Sequence, residues 1–187
     1  MIEPQDSVLL GVSGGADSVF MSLLFKEIEE IFKLKIGVAY INHKQRDVRK
    51  EINFVKNLSK NYNWQFFLKN IKMDEEGSPE ELLRVQRLSC LKEIAKKNGY
   101  KKIGLAHTKD DQAETILMRF LKGTSLRGLS GIKPINEGIF IHPLLCFKKE
   151  EILEYLKKEK IPYLLDPTNF NLSFLRNKLR HLVFPFL

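Results

Sequence analysis

Residues 8–18 read Val-Leu-Leu-Gly-Val-Ser-Gly-Gly-Ala-Asp-Ser, and this run restricts the fold more tightly than the rest of the chain. Val8, Leu9, Leu10 and Val12 have the character of a buried strand. The strand empties into Ser13-Gly14-Gly15-Ala16-Asp17-Ser18, and Val19, Phe20, Leu23 and Leu24 then open a helical apolar face. A strand that turns through two glycines into a helix N-terminus makes a seat for an anion. Glycine lets the backbone curl closely around the ligand, and the first helical turn points N–H groups at it. Ser13 and Ser18 add hydroxyls, and Asp17 adds a carboxylate that could hold a magnesium ion. The loop is not a Walker A loop, because no lysine follows the second glycine and the loop is too short. A lone Gly-Gly would read as a turn with Ser or Asp as a helix cap. Ser, Asp and Ser at these offsets after an apolar strand point instead to phosphate.

Beyond this unit, strand-like apolar runs alternate with longer helical patterns, which predicts an α/β fold with a doubly wound, mainly parallel sheet and helices on both faces. Five strands are expected, at Ser7–Val12, Ile36–Ile41, Trp64–Leu68, Ile103–Ala106 and Ile139–His142. Helices are expected after strand one to about Phe32, at Val48–Tyr62, and from Ser78 to Asn98. Further helices are expected at Asp110–Lys122, Lys148–Lys158 and Phe174–Val183. Ser78 as N-cap, Pro79 at the first helical position and Glu81 in a capping box mark the start of the third helix, and Gly99 stops it. The Gly123–Gly131 stretch is a long glycine-punctuated loop. In doubly wound sheets, ligands bind beyond the carboxyl ends of the strands. The Ser13–Ser18 loop, Asn42-His43 and the tract from His107 to Glu114 all fall at such ends, so one shared site is expected.

No apolar run approaches the ~20 residues of a membrane-spanning helix, and the N-terminus shows no secretory signal. Cys90 and Cys146 lie 56 positions apart, which is neither a metal pair nor a disulfide framework. Both are expected to be buried apolar residues of a protein from a reducing cytoplasm. The net charge of +8 suits a polyanionic partner, and equally suits lysines placed on solvated helix faces.

Ala106-His107-Thr108-Lys109-Asp110-Asp111-Gln112-Ala113-Glu114-Thr115 carries the second set of chemical groups. Asp111 and Glu114 stand three residues apart at a helix start, on one face and within the favourable field of the N-terminus. Two carboxylates there could bind magnesium or hold an ammonium group, and one of Asp110 and Asp111 could serve only as a cap.

With both tracts in view, the chain resembles the tRNA(Ile)-lysidine synthetases of the N-type PP-loop ATPase superfamily, whose fold is adenine nucleotide alpha hydrolase-like. The resemblance runs in order over nearly the whole chain. It takes in Ser13 to Ser18, Asn42-His43, the Glu81 to Arg87 helix, His107 through Thr115, Arg119 and the Gly123 to Gly131 loop. It continues through Pro143-Leu144-Leu145, Asp166-Pro167-Thr168-Asn169 and Arg176-Asn177-Lys178-Leu179-Arg180. It implies a ligase that uses ATP and magnesium to join L-lysine to C2 of the wobble cytidine of a tRNA(Ile) with a CAU anticodon. An adenylated cytidine is the intermediate, and AMP and pyrophosphate are released.

By the same resemblance, Ser13, Gly14, Gly15, Ala16, Asp17 and Ser18 bind ATP phosphates, with Asp17 on magnesium. Asn42, His43, Ala106 and His107 flank the adenosine. Asp17, Asp111, Glu114 and Arg176 form the catalytic set, and Arg84 sits near the nucleotide or the RNA. Arg84, Arg87, Arg127 and Arg180 are expected to meet the substrate tRNA, the positive charge placing its contact surface on the Arg176/Lys178/Arg180 helix together with the Gly123–Gly131 loop. Residues 1–187 are expected to be a single catalytic domain, with 148–187 as its helical extension. Homodimers occur in the family. Thr108 stands where many relatives carry a second histidine. The family's usual C-terminal tRNA-binding domain is expected to be absent from residues 1–187, which read either as a minimal member or as a truncated catalytic piece. The alternatives are a PP-loop tRNA thiolase, a glutamine-fed ATP pyrophosphatase, and a non-catalytic nucleotide- or RNA-binding module. A thiolase needs paired cysteines for a persulfide or an iron–sulfur cluster, and the second alternative needs an amidotransferase half that this chain lacks. Replacing Cys90 and Cys146 together with serine is therefore expected to leave enzymatic turnover largely intact, as measured by steady-state kinetics. Loss of turnover in a folded double variant would favour sulfur chemistry.

Overall fold

The computed structural model describes residues 1–42, 48–71, 80–126, 128–165 and 178–184. In chain order the elements begin with β1 (Ser7–Gly11), α1 (Ala16–Phe32), β2 (Lys35–Asn42), α2 (Arg49–Asn61) and β3 (Gln65–Asn70). They continue with α3 (Glu80–Asn98), β4 (Lys102–Gly104), α4 (Lys109–Leu121), β5 (Ile135–Asn136), β6 (Phe140–Ile141) and α5 (Lys149–Lys158). A short wide-turned helical segment, Leu179–Val183, follows. The expected helix start at Ser78 and Pro79 and the turn at 166–169 lie outside the described residues, as does the first part of the helix expected from Phe174.

The strands form one six-stranded sheet in the order β3-β2-β1-β4-β6-β5. Every pairing is parallel except β5 with β6. The sixth strand is a correction to the five expected. β5 is two residues long and joins β6 through Glu137 and Gly138, both with positive φ (52° and 67°), as the tight turn of a hairpin requires. A strand that short leaves no alternating pattern to read.

Period-two alternation splits β1 between two cores. Val8, Leu10 and Val12 pack against Phe20 and Phe25 of α1, Val55 of α2, and Ile152 and Leu156 of α5. Leu9 points the other way, into a cluster with Leu91, Ile94 and Ala95 of α3. Helices therefore cover both faces, and the central strand is buried on both sides, as parallel sheets require. α5 is stitched to α1 by edge-to-face contacts of Phe20 with Phe147 and Tyr155, at 5.3 and 5.5 Å between centroids.

The chain runs outward from β1 through β2 to β3 and then returns to place β4 on the other side of β1. The carboxyl ends of β1 and β4 thus diverge into neighbouring connections. That is the crevice where open α/β sheets bind ligands.

A close approach sets the residue at position 37. A Cβ on Gly37 of β2 would lie 2.6 Å from Cζ of Tyr100, whose ring is 4% exposed and packs edge-on against Phe67. Gly37→Ala is expected to destabilise the fold by about 1–3 kcal/mol, the range for overpacking a tight core. Urea unfolding checks this, and an unchanged midpoint would show that the ring can move aside.

Candidate active site at the β1 and β4 strand ends

The Ser13–Ser18 loop is shaped by one side chain. Ser18, 5% exposed, accepts from the N–H groups of Ser13 (3.3 Å) and Gly14 (3.2 Å) through its Oγ and donates to the carbonyl of Gly15 (2.9 Å). Its hydroxyl is spent on folding the loop. Ser13 Oγ lies 3.4 Å from Ser18 Oγ and 3.5 Å from the Gly15 nitrogen. Gly14 adopts φ +89°, and a Cβ there would sit 3.1 Å from Leu164 and 3.3 Å from Phe54. Gly15 is the N-cap of α1 and no side chain caps the helix. The N–H groups of its first turn therefore remain directed at the crevice.

Asp17, in that first turn, is mostly buried. Its Oδ2 lies 3.4 Å from Lys149 Nζ, while Oδ1 is buried with no hydrogen-bond partner among the described residues. Burial raises its pKa above the ordinary carboxylate range. Lys149 opposes that shift and the charge of Asp111 adds to it. A buried oxygen without a partner, beside a second carboxylate and an anion seat, fits magnesium, which takes one or two carboxylates together with phosphate oxygens and water. Among the described residues, no group of three or more His, Cys, Asp or Glu side chains forms a complete metal cage.

α4 opens with a capping box. Thr108, 1% exposed, is the N-cap: the Asp111 N–H donates to its Oγ1 (3.3 Å), and its own N–H donates to Asp111 Oδ2 (2.8 Å). Asp110 and Asp111 are thus not the cap residues themselves. Asp111 spends one oxygen on the box and turns the other, Oδ1, towards Arg180 NH2 at 3.7 Å. Glu114 is 2% exposed, and its Oε1 accepts from Arg180 Nε at 2.7 Å. Burial pulls the Arg180 guanidinium down, yet the hydrogen bond to Glu114 and the charges of Glu114, Asp111 and Asp17 hold its pKa above its usual value. Arg180, expected on the tRNA-docking helix, therefore sits among the acids.

Lys149 carried no signal in the sequence beyond being one of many lysines. Its position comes from two backbone links between the starts of α4 and α5: Lys109 N–H donates to the Phe147 carbonyl (2.9 Å) and Lys149 N–H to Asp110 Oδ2 (2.8 Å). Asp110 thus anchors the helix that presents Lys149.

Other expected residues border this centre. Ala106 and His107 follow β4, half-buried, and the His107 ring lies 4.9 Å from that of His142. His142 is 5% exposed, and its Nδ1 is 2.7 Å from the Lys133 carbonyl. Burial lowers its pKa, the hydrogen bond to the Lys133 carbonyl works against that shift and nearby Arg84 adds to it; since a carbonyl only accepts, Nδ1–H is the donor. Asn42 ends β2 and donates to Asn70 Oδ1 at 2.9 Å. Arg84 is exposed and pairs with Glu81 at 3.2 Å, while Arg87 is half-buried on α3. His43, Arg127 and Arg176 lie outside the described residues.

The cysteine expectation needs correcting. Cys90 is half-buried and Cys146 exposed, because the turn after β6 buries Leu144 and swings Cys146 outward.

A family profile described as a PP-loop domain matches residues 2–187. The chain is 37% identical over 191 residues to the tRNA(Ile)-lysidine synthase of Thermosipho africanus, covering 99% of this chain and 44% of the relative. Identity to the synthase of Caldanaerobacter subterraneus subsp. tengcongensis is 39%, covering 100% and 41%. For that of Thermotoga maritima it is 36%, covering 100% and 46%. The chain thus spans less than half the length of these curated relatives. Among solved structures, the U34-tRNA thiolase NcsA from Methanococcus maripaludis superposes with a TM-score of 0.76 at 20% identity, covering 88% of this chain and 60% of that one. The NH3-dependent NAD synthetase from Campylobacter jejuni gives 0.54 at 16%, covering 97% and 79%. At those identities the likeness is one of fold.

A carboxylate whose folded pKa is raised binds more protons in the native than in the unfolded state, so stability falls as pH climbs from the ordinary carboxylate range through the raised value. Asp17→Asn removes that loss. The variant is expected to melt at a higher temperature than wild type at neutral pH, with the gap closing in acid below the ordinary range. A lower melting temperature for the variant at pH 7 would mean that Lys149 more than offsets the burial.

Proposed function

The chain belongs to the PP-loop domain family, and from that premise we propose that it joins L-lysine to C2 of the wobble cytidine of a tRNA(Ile) bearing a CAU anticodon, at the expense of ATP. The observation that carries this reading is the gathering of Asp17, Asp111 and Glu114 at the β1 and β4 strand ends, answered by Arg180 and Lys149. The synthase names of relatives 36–39% identical to the whole chain support the choice of reaction.

In this reading, residues 1–187 act as one catalytic domain with 148–187 as its extension. The loop Ser13–Gly15 and the first-turn N–H groups of Ala16 to Ser18 receive the pyrophosphate end of ATP. Asn42, His43, Ala106 and His107 flank the adenosine. Magnesium, held through Asp17, would supply charge stabilisation at the phosphates. Cytidine O2 is a poor leaving group; it displaces pyrophosphate from the α-phosphate of ATP and becomes adenylated. The lysine ε-amine then attacks C2 and AMP departs. Lys149 and Arg180 sit where negative charge builds up in the first step, and Arg176 is assigned to the same centre. An amine attacks only when neutral, and Asp111 and Glu114 are the groups placed to orient it and take its proton. Arg84, Arg87 and Arg127 are assigned to the nucleotide or the tRNA. A sulfur-transfer reading lacks support: Cys90 lies on α3, and Cys146 in the turn beyond β6.

The test offers radiolabelled lysine with ATP and a transcript of the isoleucine tRNA. Wild type is expected to incorporate label. Glu114→Gln and Asp111→Asn should each lower incorporation about a hundredfold or more while ATP still binds. Normal incorporation by both variants would reduce these acids to structural charges.

A further inference from the structure

The two ends of α4 differ in kind. Among the described residues of the helix, Glu114 is the one buried side chain. Ile116, Leu117 and Met118 are only half-buried. Phe120 and Leu121 stand 67% and 58% exposed, and Leu126 in the loop beyond is 89% exposed. A helix that buries a carboxylate and leaves its aromatic and aliphatic side chains in water has not been built for this core.

The charge along this stretch identifies what would cover it. From Thr115 to Asn136 the sequence holds Arg119, Lys122, Arg127 and Lys133 and no Asp or Glu. A second copy placed here would oppose cation to cation. Unpaired nucleotides offer anionic phosphates for the lysines and flat bases for the apolar side chains.

Spacing agrees with that occupant. Phe120 lies six helical residues beyond Glu114, about 9 Å of rise. Stacked nucleotides advance about 3.4 Å each along a strand. A nucleotide two or three places from one reacting at Glu114 therefore falls on the Phe120 end of the helix. The loop that carries Leu126 is held there as well. Arg119 donates to the carbonyls of Gly128 (2.8 Å) and Gly131 (3.1 Å), and Gln112 accepts from the Ile132 N–H. The described loop residues Gly128, Gly131 and Ile132 are thus tied to α4.

We infer that the exposed C-terminal half of α4, with Phe120 as its stacking platform, docks the unpaired nucleotides flanking the reacting base. This surface rests on the reaction proposed above and adds to it the means by which single-stranded RNA is seated. Base–aromatic stacking of this kind is sequence-tolerant, so the platform secures the loop while the crevice selects the base.

The test uses the whole chain with an anticodon stem-loop RNA, 2-aminopurine being placed in turn at each loop position within three of the reactive cytidine. Wild type is expected to quench the probe at one or more positions. Phe120→Ser should relieve that quenching and raise the KM for RNA at least about fivefold, with kcat for lysine incorporation and the melting temperature unchanged. Phe120→Tyr, which keeps the ring, should restore both. If wild type incorporates lysine and Phe120→Ser matches it in quenching and KM, the docking surface is overturned while the proposed reaction stands. If wild type binds ATP but neither binds the RNA nor incorporates lysine, the reaction itself falls and the surface with it. If sedimentation shows self-association that Phe120→Ser abolishes while RNA binding is unchanged, the face belongs to a second copy and the inference is overturned.

Discussion

A carboxylate buried to 2% exposure has lost its water and needs hydrogen-bond donors in its place, and Glu114 finds one in Arg180 at 2.7 Å. Much of the centre follows from this one pair. Arg180 also reaches Asp111, and its charge is felt at Asp17, so a single guanidinium serves three acids drawn from two strand ends. Asp17 remains under strain even so. One oxygen has no partner among the described residues, and burial together with Asp111 pushes its pKa up. Under the proposed function, an acid held this uncomfortably is the group that would receive a cation arriving with the ligand, at some cost in stability.

The anion seat and the acid cluster are built in different ways, and this explains which was legible in the sequence. Everything needed to read the seat is local: an apolar strand, two glycines and a helix start within residues 8–18. The carboxylates of α4 were legible for the same reason, as helical spacing puts Asp111 and Glu114 on one side of a helix following a strand. The cations were not. Lys149 depends on hydrogen bonds that join the starts of α4 and α5, and Arg180 lies 66 positions from the acid it meets. No periodicity in a sequence encodes a contact of that range. A basic residue in a chain of +8 is easily read as polyanion-facing surface, which is where Arg180 had been put.

The fold shows the same division. The long strands and helices were visible from their alternation, and their observed ends differ from the expected ones by a residue or two. β5 escaped because two residues have no pattern, and Thr108, noted in the sequence only as a departure from a family motif, is the N-cap of α4. Its buried hydroxyl in fact closes the capping box that holds Asp111 in place. Gly37 is a further residue that sequence could not explain. Its lack of a side chain makes sense only against Tyr100, which stands 63 positions away.

The late part of the chain completes what the early part begins. The Leu164 N–H donates to the Gly14 carbonyl at 2.9 Å, so the segment after α5 lies against the Ser13–Ser18 loop. Arg180 then closes on the acids of α4. A phosphate seat made from residues 13–18 alone would have amides but no opposing cations. Bringing residues 149, 164 and 180 back to the β1 and β4 ends costs chain entropy that grows only slowly with the length of the loop being closed. In return, the anion seat gains Lys149 and Arg180 on its open side. The same part of the chain packs α5 on α1 and pins the loop at Gly14. The local motif at the front of the chain thus meets Lys149 and Arg180 only through the packing of elements that lie far along the sequence.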